Sequence, residues 1–273
     1  MRLCTITEYW DSLLYTAYNV TARIKYWLLP PRQKAIFRRT KALKDKHQGK
    51  RCFVVMNGPS IRDLDLRFLK DEVVFTSNFF YRGALTPVVD PNYYCWTDKK
   101  LLVTDETPQL VREIKEACPN AKLIFNCGGL EKIGVQENVY FTYCKHLPNI
   151  FGVRSDLAGL CSNFTNVSLY TINAAIYLGF TEIYLLGLDF TPGGFVHFYD
   201  EPGQSHGPDE RNDKLNVVGL HWEYTKAHYE AYALNAHAKK KGVRIINLNP
   251  KSYMRAFAFG TVEELTKEAQ YET

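Results

Sequence analysis

The sequence of 273 residues predicts an α/β domain of three layers, a mostly parallel sheet held between helices. Three observations predict it. Short continuous apolar runs alternate with helical patterns, as they do in parallel sheets covered on both faces. The first such run, Cys52–Met56, breaks into Asn57-Gly58-Pro59-Ser60. Far downstream, Glu182-Ile183-Tyr184-Leu185-Leu186-Gly187-Leu188 is a second buried-strand pattern, and it closes on Asp189. The arrangement is Rossmann-like, and in such sheets ligands sit outside the carboxyl ends of the strands.

Residues 1–48 read as a basic, aromatic helical extension, and residues 49–273 as the nucleotide-binding domain. Of 34 Lys and Arg and 29 Asp and Glu, residues 1–50 hold eleven and three, leaving twenty-three against twenty-six. The whole positive excess therefore lies at the N-terminus, and the rest of the chain lacks the basic stripe that nucleic acid needs. The segment from Trp10 to Leu29 is rich in aromatics and Leu, but Asp11, Arg23 and Lys25 interrupt it. No run reaches the roughly eighteen apolar residues of a spanning helix, and no signal peptide is evident. Aromatics beside Arg32, Lys34, Arg38, Arg39, Lys41, Lys44 and Lys46 fit an anionic membrane surface. They equally fit a helix packed on the domain or on a second copy, with a solvated basic face.

Strands are expected at Cys52–Met56, Val73–Ser77, Tyr93–Trp96, Lys122–Asn126, Val139–Tyr143, Glu182–Leu188 and Val243–Leu248. Helices are expected at Ile61–Lys70, Pro108–Cys118, Val167–Leu178, Glu223–Lys241 and Val262–Gln270. Ser60 would cap the first helix, so that its N-terminal N–H groups face an anion, with Gly58 letting a ligand approach the backbone. An ordinary strand-to-helix turn would look the same. Asp189, ending a buried strand, needs a partner and would face the crevice; its bland role is to cap the next turn. Gly179 is placed as a left-handed cap of the central helix. The glycine-rich stretch 191–220 follows Asp189 directly and reads as a lid. The cysteines at 4, 52, 95, 118, 127, 144 and 161 form no close pair. They read as buried thiols of a reducing compartment, which makes the chain cytoplasmic, with peripheral membrane attachment left open.

Asn57-Gly58-Pro59-Ser60, Asn78 after the next strand, and the segment Leu178-Gly179-Phe180 through Glu182–Phe190 resemble the bacterial sialyltransferases of glycosyltransferase family 42. They are also similar to a broader group called 6-hydroxymethylpterin diphosphokinase MptE-like. The resemblance runs from about Lys50 to Phe259. It implies that Asn57, Gly58, Pro59, Ser60, Asn78 and Asp98 hold the nucleotide of a sugar donor, Asp98 standing where the family has Asn. It also implies no required cofactor, because two lid tyrosines take the role of a metal; Thr191 and His197 stand at those places, with Tyr199 close by. Phe164 and Val167 replace an expected Arg and Ser, with Ser168 one place on.

Four histidines fall in or after the lid, at 197, 206, 221 and 228. His221 matches the family's base ahead of the last long helix, and a base suits removal of an acceptor's proton near neutral pH. Asp189 and His197 complete the catalytic candidates. The first expectation is therefore an inverting glycosyltransferase. Its donor is a nucleotide sugar, best a CMP-activated acidic sugar, and its acceptor is a surface glycan or lipid-linked glycan. The second is a pterin pyrophosphokinase whose Asp98 and Asp189 hold Mg²⁺ between ATP phosphates. A non-catalytic nucleotide-binding protein is the third. The sequence leaves homo-oligomerisation open.

Overall fold

Successive apolar strands bury their whole length here, because helices cover both faces of the sheet. The computed structural model describes residues 6–149, 152–191, 198 and 216–271. The chain opens with α1 (Ile6–Leu28) and α2 (Pro31–Arg38), then enters the sheet with β1 (Arg51–Val55) and β2 (Val74–Ser77). α3 (Thr86–Val89), β3 (Tyr93–Trp96), α4 (Lys99–Leu102), α5 (Thr107–Ala117) and β4 (Lys122–Asn126) follow. Next come α6 (Leu130–Ile133), β5 (Val139–His146), β6 (Leu160–Ser162), α7 (Val167–Tyr177) and β7 (Glu182–Leu186). The chain closes with α8 (Asn216–Lys240), β8 (Arg244–Asn247), β9 (Ala258–Phe259) and α9 (Val262–Tyr271).

Among the described residues these strands form one sheet in the order β6-β5-β4-β3-β2-β1-β7-β8-β9. Every neighbouring pair is parallel. The order runs outward in both directions from β1, so the topological switch lies between β1 and β7. That is where the carboxyl ends of an open sheet leave a crevice. Alternate residues feed two cores. Cys52, Val54 and Met56 meet α7 and α8 on one side, whereas Phe53 and Val55 join α5, α6 and α9 on the other. α7 is buried all round from Ser168 to Tyr177 and ends at Gly179, whose φ is +91°.

The expected helix over Ile61–Lys70 does not form; that correction bears on the site. Pro59–Ile61 and Leu66–Leu69 are separate single turns of 3-10 helix. Asp65 accounts for the break, since its carboxylate accepts from the Arg67 backbone N–H at 3.1 Å and from the Arg67 guanidinium. A short acidic side chain thereby competes with helical backbone bonding. The sequence reading also missed β6 and β9, which have only three and two residues. α8 begins at Asn216, inside the stretch assigned to the lid.

The N-terminal segment is not detached from the domain. Phe37 and Leu43 are buried, and each such apolar side chain contributes roughly 1.5–3 kcal/mol, while the buried Thr40 hydroxyl donates to the Phe37 carbonyl at 2.7 Å. The N–H groups of Asp45, His47 and Gly49 donate to the carbonyls of Tyr177, Leu178 and Gly179 at the end of α7. α1 is fixed by its polar side. Asn19 exchanges two hydrogen bonds with the Leu147 backbone, at 2.7 and 2.9 Å, and the Asn149 amide donates to the Ser12 carbonyl. The described cysteines are free thiols, with those of Cys144 and Cys161 in hydrogen-bond contact at 3.5 Å.

One buried charge ties α7 to α8. Glu230 is 1% exposed and accepts from the Thr165 N–H at 2.7 Å and the Thr165 hydroxyl at 3.1 Å, with Lys226 at 4.0 Å. Burial outweighs these partners and raises its pKa to about 7. The native state therefore binds more protons than the unfolded chain between the ordinary carboxyl range and pH 7. The stability this confers is complete at acid pH and lost as pH rises through about 7, at most about 3 kcal/mol. Glu230→Gln is expected to flatten the decline of thermal midpoint between pH 5 and pH 8. Parallel pH profiles for variant and wild type would remove Glu230 as the titrating group.

Candidate functional site

The crevice is assembled around one carboxylate. β7 ends in Leu186, and Gly187 then turns with φ +67°, bringing its carbonyl against the loop after β1. The Gly58 N–H donates to the Gly187 carbonyl at 2.9 Å. A Cβ on Gly58 would lie 2.4 Å from that oxygen and 2.5 Å from Asp189 Oδ2, and one on Gly187 would lie 2.3 Å from the Met56 carbonyl. Only glycine fits at either position. Asp189, 8% exposed, accepts from the Ser60 N–H at 2.8 Å, from the Ser60 hydroxyl, and from the Asn249 amide at 2.8 Å. Its carbonyl accepts from the Tyr253 N–H at 2.9 Å. Asp189 thus clamps the loops after β1, β7 and β8 together.

This geometry revises three expectations. No helix N-terminus stands behind Ser60, and its N–H and hydroxyl are both engaged by Asp189 rather than directed at a ligand. The Asp189 carboxylate accepts from three protein donors, which is a positioning arrangement. The Asp98–Asp189 magnesium pair is not assembled either. Asp98 follows β3 and Asp189 follows β7, with β2 and β1 between them. Three strand spacings are about 14 Å, too far for one ion. Asp98 is exposed and caps α4 by accepting from the Lys100 N–H at 2.9 Å.

What the crevice does offer is a row of amides. Asn57 donates to the Ser77 carbonyl at 3.3 Å and receives the Phe198 N–H on its own carbonyl at 2.9 Å, while its buried Oδ1 has no partner. Asn78 holds φ +53°, a left-handed conformation that Asn tolerates better than most residues, and its buried Oδ1 is likewise unpaired. Its carbonyl is held by the Tyr94 hydroxyl. Asn126, fully buried at the end of β4, accepts from the Gly128 N–H at 2.9 Å and leaves its Nδ2 unpaired. Between them, at the end of β3, Trp96 Nε1 is also unpaired. Buried polar atoms without partners are uncommon, and four of those among the described residues stand at the carboxyl ends of four adjacent strands.

Sequence reasoning singled out Asn57 and Asn78 but not Asn126. The same signal was present, an apolar strand closing on Asn with glycine just after. It also missed Lys99 and Lys145. Lys99 opens α4, its chain lying against Gly128 (a Cβ there would be 3.3 Å from Lys99 Cγ), and it faces Lys145 of β5. Burial and the neighbouring ammonium hold its pKa below the usual lysine range.

On the far side, α8 lies along the loop after β7. The Tyr224 hydroxyl donates to the Thr191 carbonyl at 2.8 Å, and the Phe190 ring meets Tyr224 and His228 edge-on at 5.4 and 5.2 Å. Both ring nitrogens of His228 face carbonyls, of Tyr224 and Tyr253, so His228 has none left for a substrate. His221 lies seven residues before His228 and three before Tyr224, on the same helix face, and is exposed. Thr191 is exposed at the mouth. Ser168 is buried in the first turn of α7, its N–H bound by Asn166 at 2.7 Å. Phe198 inserts between Phe80 and Gly83 and gives its carbonyl to Arg62. His197, with Tyr199 and His206, lies outside the described residues.

No protein-family model matches the chain, and no curated protein does. Among solved structures, the MAf glycosyltransferase from Magnetospirillum magneticum AMB-1 superposes with a TM-score of 0.50 at 15% identity. That match covers 88% of this chain and 41% of that one, so the present chain spans about two fifths of its length. The sialyltransferase CstII from Campylobacter jejuni, solved with cytidine-5'-monophosphate, gives 0.49 at 19% identity over 78% of this chain and 85% of that one. At these identities the likeness is one of fold, and the fold is shared with a glycosyltransferase.

The close approach at Gly58 yields a direct test. Gly58→Ala must push the loop off Gly187 and Asp189, and is expected to destabilise the domain by about 1–3 kcal/mol. A variant with unchanged melting temperature would show that the loop does not need this contact.

Proposed function

We propose that this chain is a glycosyltransferase of the sialyltransferase-like type, taking its sugar from a nucleotide donor, best a CMP-activated acidic sugar. The observation that carries the reading is the row of unpaired amide atoms at the switch point between β1 and β7 and along β2 to β4. The ends of β1 and β4 are about 14 Å apart, a span suited to a nucleotide sugar. The unpaired oxygens of Asn57 and Asn78 would accept from ribose hydroxyls or a base amino group, while Asn126 Nδ2 and Trp96 Nε1 would donate. Binding would thereby satisfy groups that folding left unsatisfied. The fold shared with a glycosyltransferase supports the reading.

The acidic sugar is supported by the Lys99–Lys145 pair. Burial and Lys145 hold the pKa of Lys99 down, and a carboxylate beside Lys99 would favour its charged form. In the reaction, an acceptor hydroxyl attacks the anomeric carbon as the bond to the nucleotide phosphate breaks. The configuration inverts, the phosphate leaves with the bonding pair, and His221 takes the hydroxyl proton. His221 is exposed on the α8 face whose next turns meet Phe190, the residue after Asp189. A base there would stand at the crevice mouth, where an acceptor would enter. A surface glycan is the acceptor this reading expects.

Two measurements test it. Asn57→Ala and Asn78→Ala are expected to weaken CMP binding at least about tenfold each, the loss of a hydrogen bond to a buried polar group, with unfolding unchanged to within about 1 kcal/mol. Full CMP affinity in both variants would dismiss the amide row as the nucleotide site. His221→Ala should lower kcat by roughly two to four orders of magnitude while CMP affinity stays at the wild-type value. Turnover of a CMP-sugar within tenfold of wild type would rule His221 out as the base.

A further inference from the structure

α1 is inside out. The side turned to the domain carries Ser12, Asn19, Ala22 and Tyr26, and two of these four bury polar side chains that hydrogen-bond to other segments. The side turned away carries Trp10, Leu14, Ile24, Trp27 and Leu28, with Leu13 and Val20 beside them. Trp10 is 62% exposed, Leu14 66% and Trp27 74%. At 100° per residue, positions 10, 14, 17, 21, 24 and 28 fall in one stripe opposite 12, 19, 22 and 26. A helix that only covers a domain has the reverse arrangement, with its apolar stripe inward. Isolated exposed apolar residues are ordinary, but a stripe carrying Trp10, Leu14, Ile24 and Leu28, with Trp27 at its edge, marks an interaction surface.

The charge around the stripe specifies the occupant. Arg23 and Lys25 are exposed on its two flanks, and Arg32, Arg38, Lys41 and Lys44 are exposed in the segment that follows. Lys34 donates to the Trp27 carbonyl, so α2 folds back beside the end of α1. A second copy docking by the same face would bring two such basic segments together, and like charges oppose that pairing. An anionic bilayer surface answers both features. Its acyl region takes the apolar stripe, its headgroups pair with the cations, and tryptophans sit at the boundary. No helix among the described residues is long and apolar enough to cross a membrane, which leaves α1 lying in the surface.

We infer that α1 is a peripheral membrane-docking helix that lays its outward stripe into an anionic lipid surface, with Arg23, Lys25 and Arg32 holding the headgroups. α8 runs beside it. The Ser12 and Tyr229 hydroxyls meet at 3.1 Å, and Lys226 lies 5.5 Å from the Tyr15 ring centre. These pairs run antiparallel, so the first turns of α8, which hold His221 and a 61% exposed Trp222, point toward the middle of α1. Resting on the transferase reading, this places the crevice mouth beside the bilayer and makes a lipid-linked glycan the acceptor.

The test uses the full chain and vesicles of phosphatidylcholine with or without phosphatidylglycerol, read by co-sedimentation. The wild type is expected to bind the anionic vesicles at low salt, to bind neutral ones weakly, and to lose anionic binding as salt rises. Combining Trp10→Ser, Leu14→Ser, Ile24→Ser and Trp27→Ser should weaken binding at least tenfold. Combining Arg23→Gln, Lys25→Gln and Arg32→Gln should weaken it roughly a hundredfold at low salt. Wild-type protein that ignores anionic vesicles, or a four-serine variant that binds them as well as wild type, would overturn the inference. So would a wild-type dimer that the serine changes convert to a monomer, since a second copy would then cover the stripe. Helix content and CMP affinity of each variant serve as controls. Absent CMP binding in every protein would count against the transferase reading while the vesicle result stood on its own.

Discussion

Burying a carboxylate is costly unless donors surround it, and the crevice of this protein is organised by meeting that cost at Asp189. Ser60 supplies two donors and Asn249 a third, so the loops after β1, β7 and β8 cannot move independently. Gly58 and Gly187 follow from the same constraint, because the loops must approach to backbone contact for Ser60 to reach the carboxylate. Phe190 then takes φ +52°, and its ring is thrown against Tyr224 and His228. The face of α8 that carries His221 is therefore oriented, at one remove, by the same buried charge.

The clamp also decides what the loop cannot do. A strand followed by Asn-Gly-Pro-Ser suggests backbone N–H groups waiting for phosphate, but the anion those groups receive is the protein's own. On the proposed reading, recognition falls to side-chain amides. Asn57 is held at its Nδ2 by Ser77 and at its carbonyl by Phe198, which leaves Oδ1 as its one uncommitted acceptor. Asn78 is held through its carbonyl by Tyr94 while its backbone occupies a conformation most residues avoid. Both are pre-set by neighbouring strands, so little conformational entropy remains to be lost when a ligand engages them. A site made of neutral amides reads hydroxyl and amino groups well and phosphate charge poorly. On the proposed reading the charge of a nucleotide donor would be met elsewhere, and Lys99, whose chain lies against Gly128 after β4, is a cation that could meet it.

The strands were legible because they are buried on both faces, and continuous apolar runs such as Leu123–Phe125 and Ile183–Leu186 suit an interior strand far better than a surface element. α7 was legible through Gly179, whose left-handed backbone was expected from its place after Leu178. β6 and β9 were not, because two or three residues carry no period. The false helix over Ile61–Lys70 had the right composition and failed on one residue, Asp65, whose carboxylate outcompetes the backbone locally. For the candidate site, position along the chain picked out loops that the sheet brings together, but not the partners their side chains take there. Asp189 and Asp98 look alike as acids ending strands, yet one is enclosed by three donors and the other caps a helix in solvent. That difference depends on which strands neighbour β7 and β3, and sheet order is a property no local pattern encodes.

The N-terminus shows the same limit from the other direction. Composition revealed its positive excess and its aromatics, but not which side of α1 would face the domain. Asn19 settles the orientation. It buries an amide that exchanges two hydrogen bonds with the Leu147 backbone, and turning the helix would leave that amide and the Leu147 groups unpaired. Unsatisfied buried amides are penalised by about 1–3 kcal/mol each, which favours the observed orientation. A polar anchor at the centre of the inner face thus forces the tryptophans outward. The hydrophobic effect alone would have turned α1 the other way, and a helix held against that preference is one whose outer face has a use.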